Sequence, residues 1–163
     1  MNRSAFVLST GLFAMMLALA ACDRDSGPAE IKYGRDVCEL CSMIISQPRH
    51  AAELRLAADS KIHKFDDIGD ALNWLSVNCK SDADVKELWI MDSSNGKTWL
   101  DARKVYYRRG DTPMHYGFIA VAASTPDSVD FSDMRMHSLR PKYACKDAAA
   151  LPDAGSAAQH KNH

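Results

Sequence analysis

Between Ala52 and Ala122 the hydrophobic positions change period several times, and each change marks an element. Ala52, Leu54 and Leu56 alternate with Glu53 and Arg55, the period-two pattern of a half-buried strand. Asp59-Ser60 supplies a turn, and Ile62 to Phe65 reads as the returning strand. Ile68, Ala71, Leu72 and Leu75 then fall at i, i+3, i+4 and i+7 behind Asp66 or Asp67, a capped helix with one apolar face. Val85 to Met91, carrying Trp89, is again a strand. Asn95-Gly96 is a strong hairpin signal, and the chain returns through Trp99 to Arg103 and on to Tyr107. Gly117 precedes a last strand, Phe118 to Ala122. The order β-β-α-β-β-β predicts an α+β fold, an antiparallel sheet with a helix packed on one face. Ser124 to Lys142 shows several polar residues and no clear second helix.

The ends of the chain are of another kind. Ala5 to Ala21 is an apolar run behind Arg3, too short for a membrane span and right for a secretory signal. It closes on Leu19-Ala20-Ala21-Cys22, which resembles the lipobox of bacterial lipoprotein precursors. That resemblance implies cleavage before Cys22, a thioether diacylglycerol on its sulfur, and usually acylation of the new amine. Two or three acyl chains give stable anchoring in a bilayer, where one is marginal. The resemblance also implies that Asp23, just after the acylated residue, favours retention in the inner membrane over the outer, which stays the alternative, with the domain facing the periplasm. The expected organisation is a signal peptide (1–21), a polar lipidated tether (22–35), a folded domain (36–146) and an Ala-rich disordered tail (147–163).

Charge narrows the function classes. With 20 basic and 21 acidic residues the net charge is −1, and the basic residues are scattered, so no nucleic-acid footprint exists. Paired carboxylates for hydrolysis, a nucleophile elbow and a phosphate loop are also missing from the sequence.

Chemistry concentrates at Cys38-Glu39-Leu40-Cys41-Ser42-Met43, where two thiols and a thioether fall within six residues. Thiolate and thioether together favour Cu(I), whereas zinc asks for more Cys and His. If Cys41 begins a strand running towards Ile45, Cys41 and Met43 point to one face, with Cys38 approaching from the preceding loop. Two other readings stay open: a small closed disulfide and a thioredoxin-like redox pair. Against the redox pair, no cationic residue is adjacent and the motif runs into Ile44 and Ile45 instead of opening a helix. A second candidate is the loop Gly110 to Gly117, where Met114 and His115 offer a thioether and an imidazole. Met134, Met136 and His137 form a third soft cluster, a secondary site or a strand edge. His160 and His163 read as part of a solvated tail, and His50 and His63 as surface or structural residues. Cys79 and Cys145 remain, and four thiols allow three pairings among which the sequence does not choose. Pairing Cys79 with Cys145 leaves Cys38 and Cys41 for metal.

In this arrangement the chain resembles the accessory lipoproteins of nitrous oxide reductase, the NosL-type copper-binding family. The residues that carry the resemblance are the lipobox at Cys22, the Cys41-Ser42-Met43 element, and Trp99-Leu100-Asp101-Ala102-Arg103. The last stretch leads through Val105-Tyr106-Tyr107 to Pro113-Met114 and Gly117-Phe118-Ile119-Ala120. The resemblance implies an α+β fold of β-β-α-β-type units and Cu(I) handling for nitrous oxide reductase in the periplasm. Its partners would be the apo copper enzyme and copper donor proteins. The family's ligands fall on Cys41, Met43 and Met114, and His115 stands where a glycine commonly follows that methionine. The expectation is therefore a membrane-anchored Cu(I) carrier, not an enzyme, with Cys38 assisting. Its rivals are a lipid-anchored thiol–disulfide oxidoreductase using Cys38 and Cys41, and a disulfide-stapled structural lipoprotein.

Overall fold

The computed structural model describes residues 26–146. The expected signal peptide, Cys22 and the tail with His160 and His163 lie outside them. Six strands and two α-helices follow in the order β1 (Ala52–Leu56), β2 (Ile62–Phe65), α1 (Ile68–Val77), β3 (Val85–Met91), β4 (Trp99–Asp101), β5 (Tyr106–Arg109), β6 (Phe118–Val121) and α2 (Phe131–Ser138). Strands β2-β1-β3-β4 form one antiparallel sheet, and β5-β6 form a separate hairpin. The expected α+β architecture is therefore present.

Both helices start on aspartate caps. Asp67 accepts the Gly69 N–H at 3.0 Å, and Asp130 accepts the Asp133 N–H at 3.0 Å, each satisfying a donor that the first turn leaves free. The apolar stripe of α1, Ile68, Ala71, Leu72 and Leu75, is buried with Leu54, Phe65, Leu88 and Ile90 in the core. Its C-terminal end is a Schellman turn: the Cys79 N–H reaches the Ser76 carbonyl at 3.1 Å and the Lys80 N–H the Leu75 carbonyl at 2.8 Å. Cys79 occupies the left-handed position, φ +54°, where glycine is usual. It forms a disulfide with Cys145, which ties the end of the described chain to the end of α1.

Three expectations are corrected. The tether does not hang free from Gly27 onward. The Gly27 N–H donates to Glu87 Oε1 at 3.0 Å, the Ala29 N–H to Glu53 Oε2 at 2.8 Å, and Ile31 enters the core. This segment covers the polar face of β1, so all five β1 residues are buried and the strand is not half-exposed. Burial pushes the Glu53 carboxyl up to about 7, while Arg55 is paired to Glu87 at 3.2 Å. Next, Trp99 to Tyr107 is not one strand. Asp101 accepts the Arg103 N–H at 3.1 Å and its carbonyl accepts the Lys104 N–H at 3.0 Å, turning the chain between β4 and β5 into different sheets. Finally, a second helix does exist. With Met134 fully buried and Met136 two-thirds exposed on α2, the third soft cluster points two ways and does not converge.

Candidate metal centre

The Cys38–Cys41 segment is a tight turn and not the start of a strand. The Ser42 N–H donates to the Cys38 carbonyl at 2.9 Å and the Cys38 N–H to the Met43 carbonyl at 2.8 Å, inside the bridge Val37–Ile44. Ser42 takes φ +62°, which breaks the alternation that would have set Cys41 and Met43 on one strand face. Cys38 is buried, Cys41 partly buried, and Met43 half-exposed. Both thiols are free.

The third member of the cluster comes from α1. Asp70 is fully buried in the first helical turn, and its Oδ2 accepts the Cys38 S–H at 3.2 Å. The ligand atoms of Cys38, Cys41 and Asp70 lie within 4.8 Å of one another, a group that can hold a metal ion. Tyr116 donates its hydroxyl to Asp70 Oδ1 at 2.9 Å, so one carboxylate oxygen is occupied and the other faces sulfur. Gly69 makes that approach feasible. A β-carbon there would sit 2.1 Å from the Tyr116 ring, so only glycine lets the phenol lie across the helix.

Electrostatics around the thiols pull both ways. Burial pushes the Cys38 thiol well above its ordinary range, although the Cys41 and Asp66 N–H groups point at its sulfur. Burial also raises Cys41, against the Met43 N–H and the Cys38 thiol, which favour its thiolate. Desolvation wins, so both sulfurs hold their protons until something replaces them. The same N–H groups are already aimed at the charge that a bound metal would stabilise. Neighbouring Asp67, whose Oδ2 is buried without a hydrogen-bond partner, is pushed up to about 6 by burial.

The Gly110–Gly117 loop is brought to the site by Tyr116. Thr112 accepts the Tyr116 N–H at 3.2 Å, and the His115 N–H closes a turn on the Thr112 carbonyl at 3.0 Å. Met114 is partly buried. His115 takes φ +55°, and its exposed imidazole lies 3.7 Å from Asp111, outside the cluster of Cys38, Cys41 and Asp70. His63 is structural: its Nδ1 lies 2.7 Å from Glu39 Oε2 and its ring packs 4.3 Å from Trp74. His50 is partly buried, and burial lowers its pKa.

Asp70, Tyr116 and Gly69 were not singled out in the sequence. An aspartate in a first helical turn is adequately explained by the helix dipole. Nothing local announced that Tyr116, 46 residues away, would reach it.

Fold and donor set together define an α+β domain built around a sulfur-rich cluster able to hold a metal ion. The sequence places it more closely: the NosL family profile matches residues 28–124, more than half of the chain, and the chain belongs to that family. Among solved structures it is similar to the crystal structure of the copper chaperone NosL from Shewanella denitrificans. The TM-score is 0.53 at 20% identity, covering 69% of this chain and 86% of that one, a likeness that establishes a shared fold. No curated protein matches the chain.

Proposed function

We propose that this protein is a copper chaperone that carries Cu(I) as cargo on Cys38 and Cys41. The observation that carries this reading is that these two thiols are free and converge beside Asp70, in a member of the NosL family whose other two described cysteines are committed to a disulfide. Soft sulfur donors select Cu(I). The Asp70 carboxylate is a hard donor, better matched to holding the Cys38 proton than to Cu(I). Met43, half-exposed beside Cys41, and Met114, on the loop pinned by Tyr116, are the thioethers that complete the set; His115 joins only if its turn reopens.

Transfer proceeds by ligand exchange. Cu(I) displaces the thiol protons on loading, and a partner's donors displace the two sulfurs one at a time on release. The exposed Met43 and partly exposed Cys41 are the side from which such donors approach. The thiol protons leave on loading and return on release, and no substrate is converted, so the reading is of a carrier and not an enzyme.

In this reading acylated Cys22 anchors the domain to the periplasmic face of a membrane, the inner one favoured by Asp23 and the outer one the alternative. Nitrous oxide reductase, by way of copper donor and acceptor proteins, is the destination. The Cys79–Cys145 disulfide supports an oxidising compartment. Changing Cys22→Ser tests the anchor: the protein should leave the membrane fraction and lose the mass of its acyl chains, and unchanged mass and fractionation would exclude lipidation. Activity of nitrous oxide reductase in cells lacking the chaperone tests the destination, with full copper loading of the enzyme as the contrary result.

A further inference from the structure

The end of the described chain, beyond the residues matched by the family profile, is built onto the site. Arg140 follows α2, and its backbone N–H donates to Asn73 Oδ1 at 2.8 Å. Asn73 in turn donates to the Ser138 carbonyl at 2.9 Å, so this backbone is fixed to the same helix that carries Asp70. From there the Arg140 side chain reaches the Gly110–Gly117 loop. Its guanidinium lies 4.0 Å over the Tyr116 ring, and Nη2 donates to the carbonyls of Met114 at 2.9 Å and His115 at 3.3 Å. His115 sits in the left-handed region, which a side chain disfavours, so this turn needs holding. Five residues further on, the Cys145 disulfide closes the segment against the other end of α1.

We propose that Arg140 is a positioning residue for the copper site, holding the Met114–Tyr116 turn against α1 so that Tyr116 stays on Asp70. The inference rests on the copper-carrier reading above. A planar guanidinium stacks on the ring and reaches two carbonyls together; an ammonium does not do both. The disulfide fixes the segment that presents it.

Cu(I) competition titration and amide hydrogen exchange on the folded chain test the proposal, with Arg140→Leu, Arg140→Lys and Arg135→Ala beside wild type. Arg140→Leu should weaken Cu(I) binding about 10-fold or more, the range for residues that support metal ligands. It should also speed exchange of the amides in residues 112–117. Arg140→Lys should move both readouts in the same direction and carries the comparison should the leucine variant not fold. Arg135→Ala, which breaks an ion pair with Asp82 at 3.5 Å elsewhere on α2, should leave both at wild-type values. Unchanged affinity and exchange in the Arg140 variants, with only a lower melting temperature, would overturn the proposal. A wild type that binds no Cu(I) overturns the carrier reading instead, and the exchange data still judge whether Arg140 holds the loop.

Discussion

Helix α1 has a pair of cysteines at each end, and the two pairs have opposite fates. At its start, Cys38 and Cys41 stand within reach of each other and of Asp70 and remain thiols. Just past its end, Cys79 is bonded to Cys145. Sequence distance runs the other way, since the bonded pair is 66 residues apart and the free pair is three. What separates them is the surroundings. The free pair lies in a turn whose N–H groups aim at sulfur and whose neighbour is a buried carboxylate that accepts the Cys38 S–H. The bonded pair joins the end of α1 to a segment that Asn73 also holds, through the Ser138 carbonyl and the Arg140 N–H. One pair is placed for exchange, the other for permanence.

The sharpest way to break this contrast is to remove the permanent pair. Cys79→Ser with Cys145→Ser should lower folding stability by about 4 kcal/mol for a closed loop of this length, read as the urea midpoint at constant slope. An unchanged midpoint would show that the bond is incidental. Next in size is Gly69→Ala. Alanine normally stabilises a helix interior, yet here its β-carbon collides with Tyr116, so stability should fall by about 1–3 kcal/mol as in other overpacked sites. Cu(I) affinity should fall with it, because Tyr116 leaves Asp70. A more stable variant with intact affinity would mean the phenol does not support the site.

Protons sharpen the comparison further. Burial holds both free thiols above their ordinary range, so each stays protonated in the metal-free protein through neutral pH. Binding Cu(I) must release those protons, and apparent affinity should climb with pH by up to about tenfold per unit for each proton displaced. The slope should continue until the elevated thiol pKa values are passed; a flat profile between pH 6 and 8 would mean the thiols are not ligands. The bonded pair contributes nothing to that slope. Smallest is Met43→Leu, which keeps volume and removes sulfur on an exposed side chain. Folding stability should stay within about 0.5 kcal/mol of wild type, while Cu(I) affinity falls by less than on loss of either thiol. Lowered stability with unchanged affinity would make Met43 a packing residue.

Much of the fold was legible because its periods are clean. The α1 stripe from Ile68 to Leu75, the Asp67 cap and the Asn95-Gly96 turn each follow from one local rule, and all three stand in the structure. The failures have a common cause in long-range covering. Glu53 and Arg55 alternate with apolar residues as if solvated, but the segment from Gly27 lies over them. The helix from Phe131 to Ser138 buries chiefly Met134, too little to give a visible stripe. At the site the sulfur cluster was legible from spacing alone. Asp70 was not, since its role exists only where the Cys38 turn and Tyr116 meet the helix. The strand face expected for Cys41 and Met43 failed because Ser42 turns the backbone left-handed, which no residue type there announces.

The central claim is that Cys38 and Cys41 together take Cu(I), and it is tested most directly by anaerobic competition titration of the reduced chain with alkylation mapping of its thiols. Wild type should bind one Cu(I) tightly and, once loaded, should protect Cys41, the accessible thiol of the pair, from alkylation. Cys38→Ala and Cys41→Ala should each lose tight binding. Wild-type affinity in both variants, with Cys41 of the loaded wild type still open to alkylation, would contradict the claim and place the copper elsewhere.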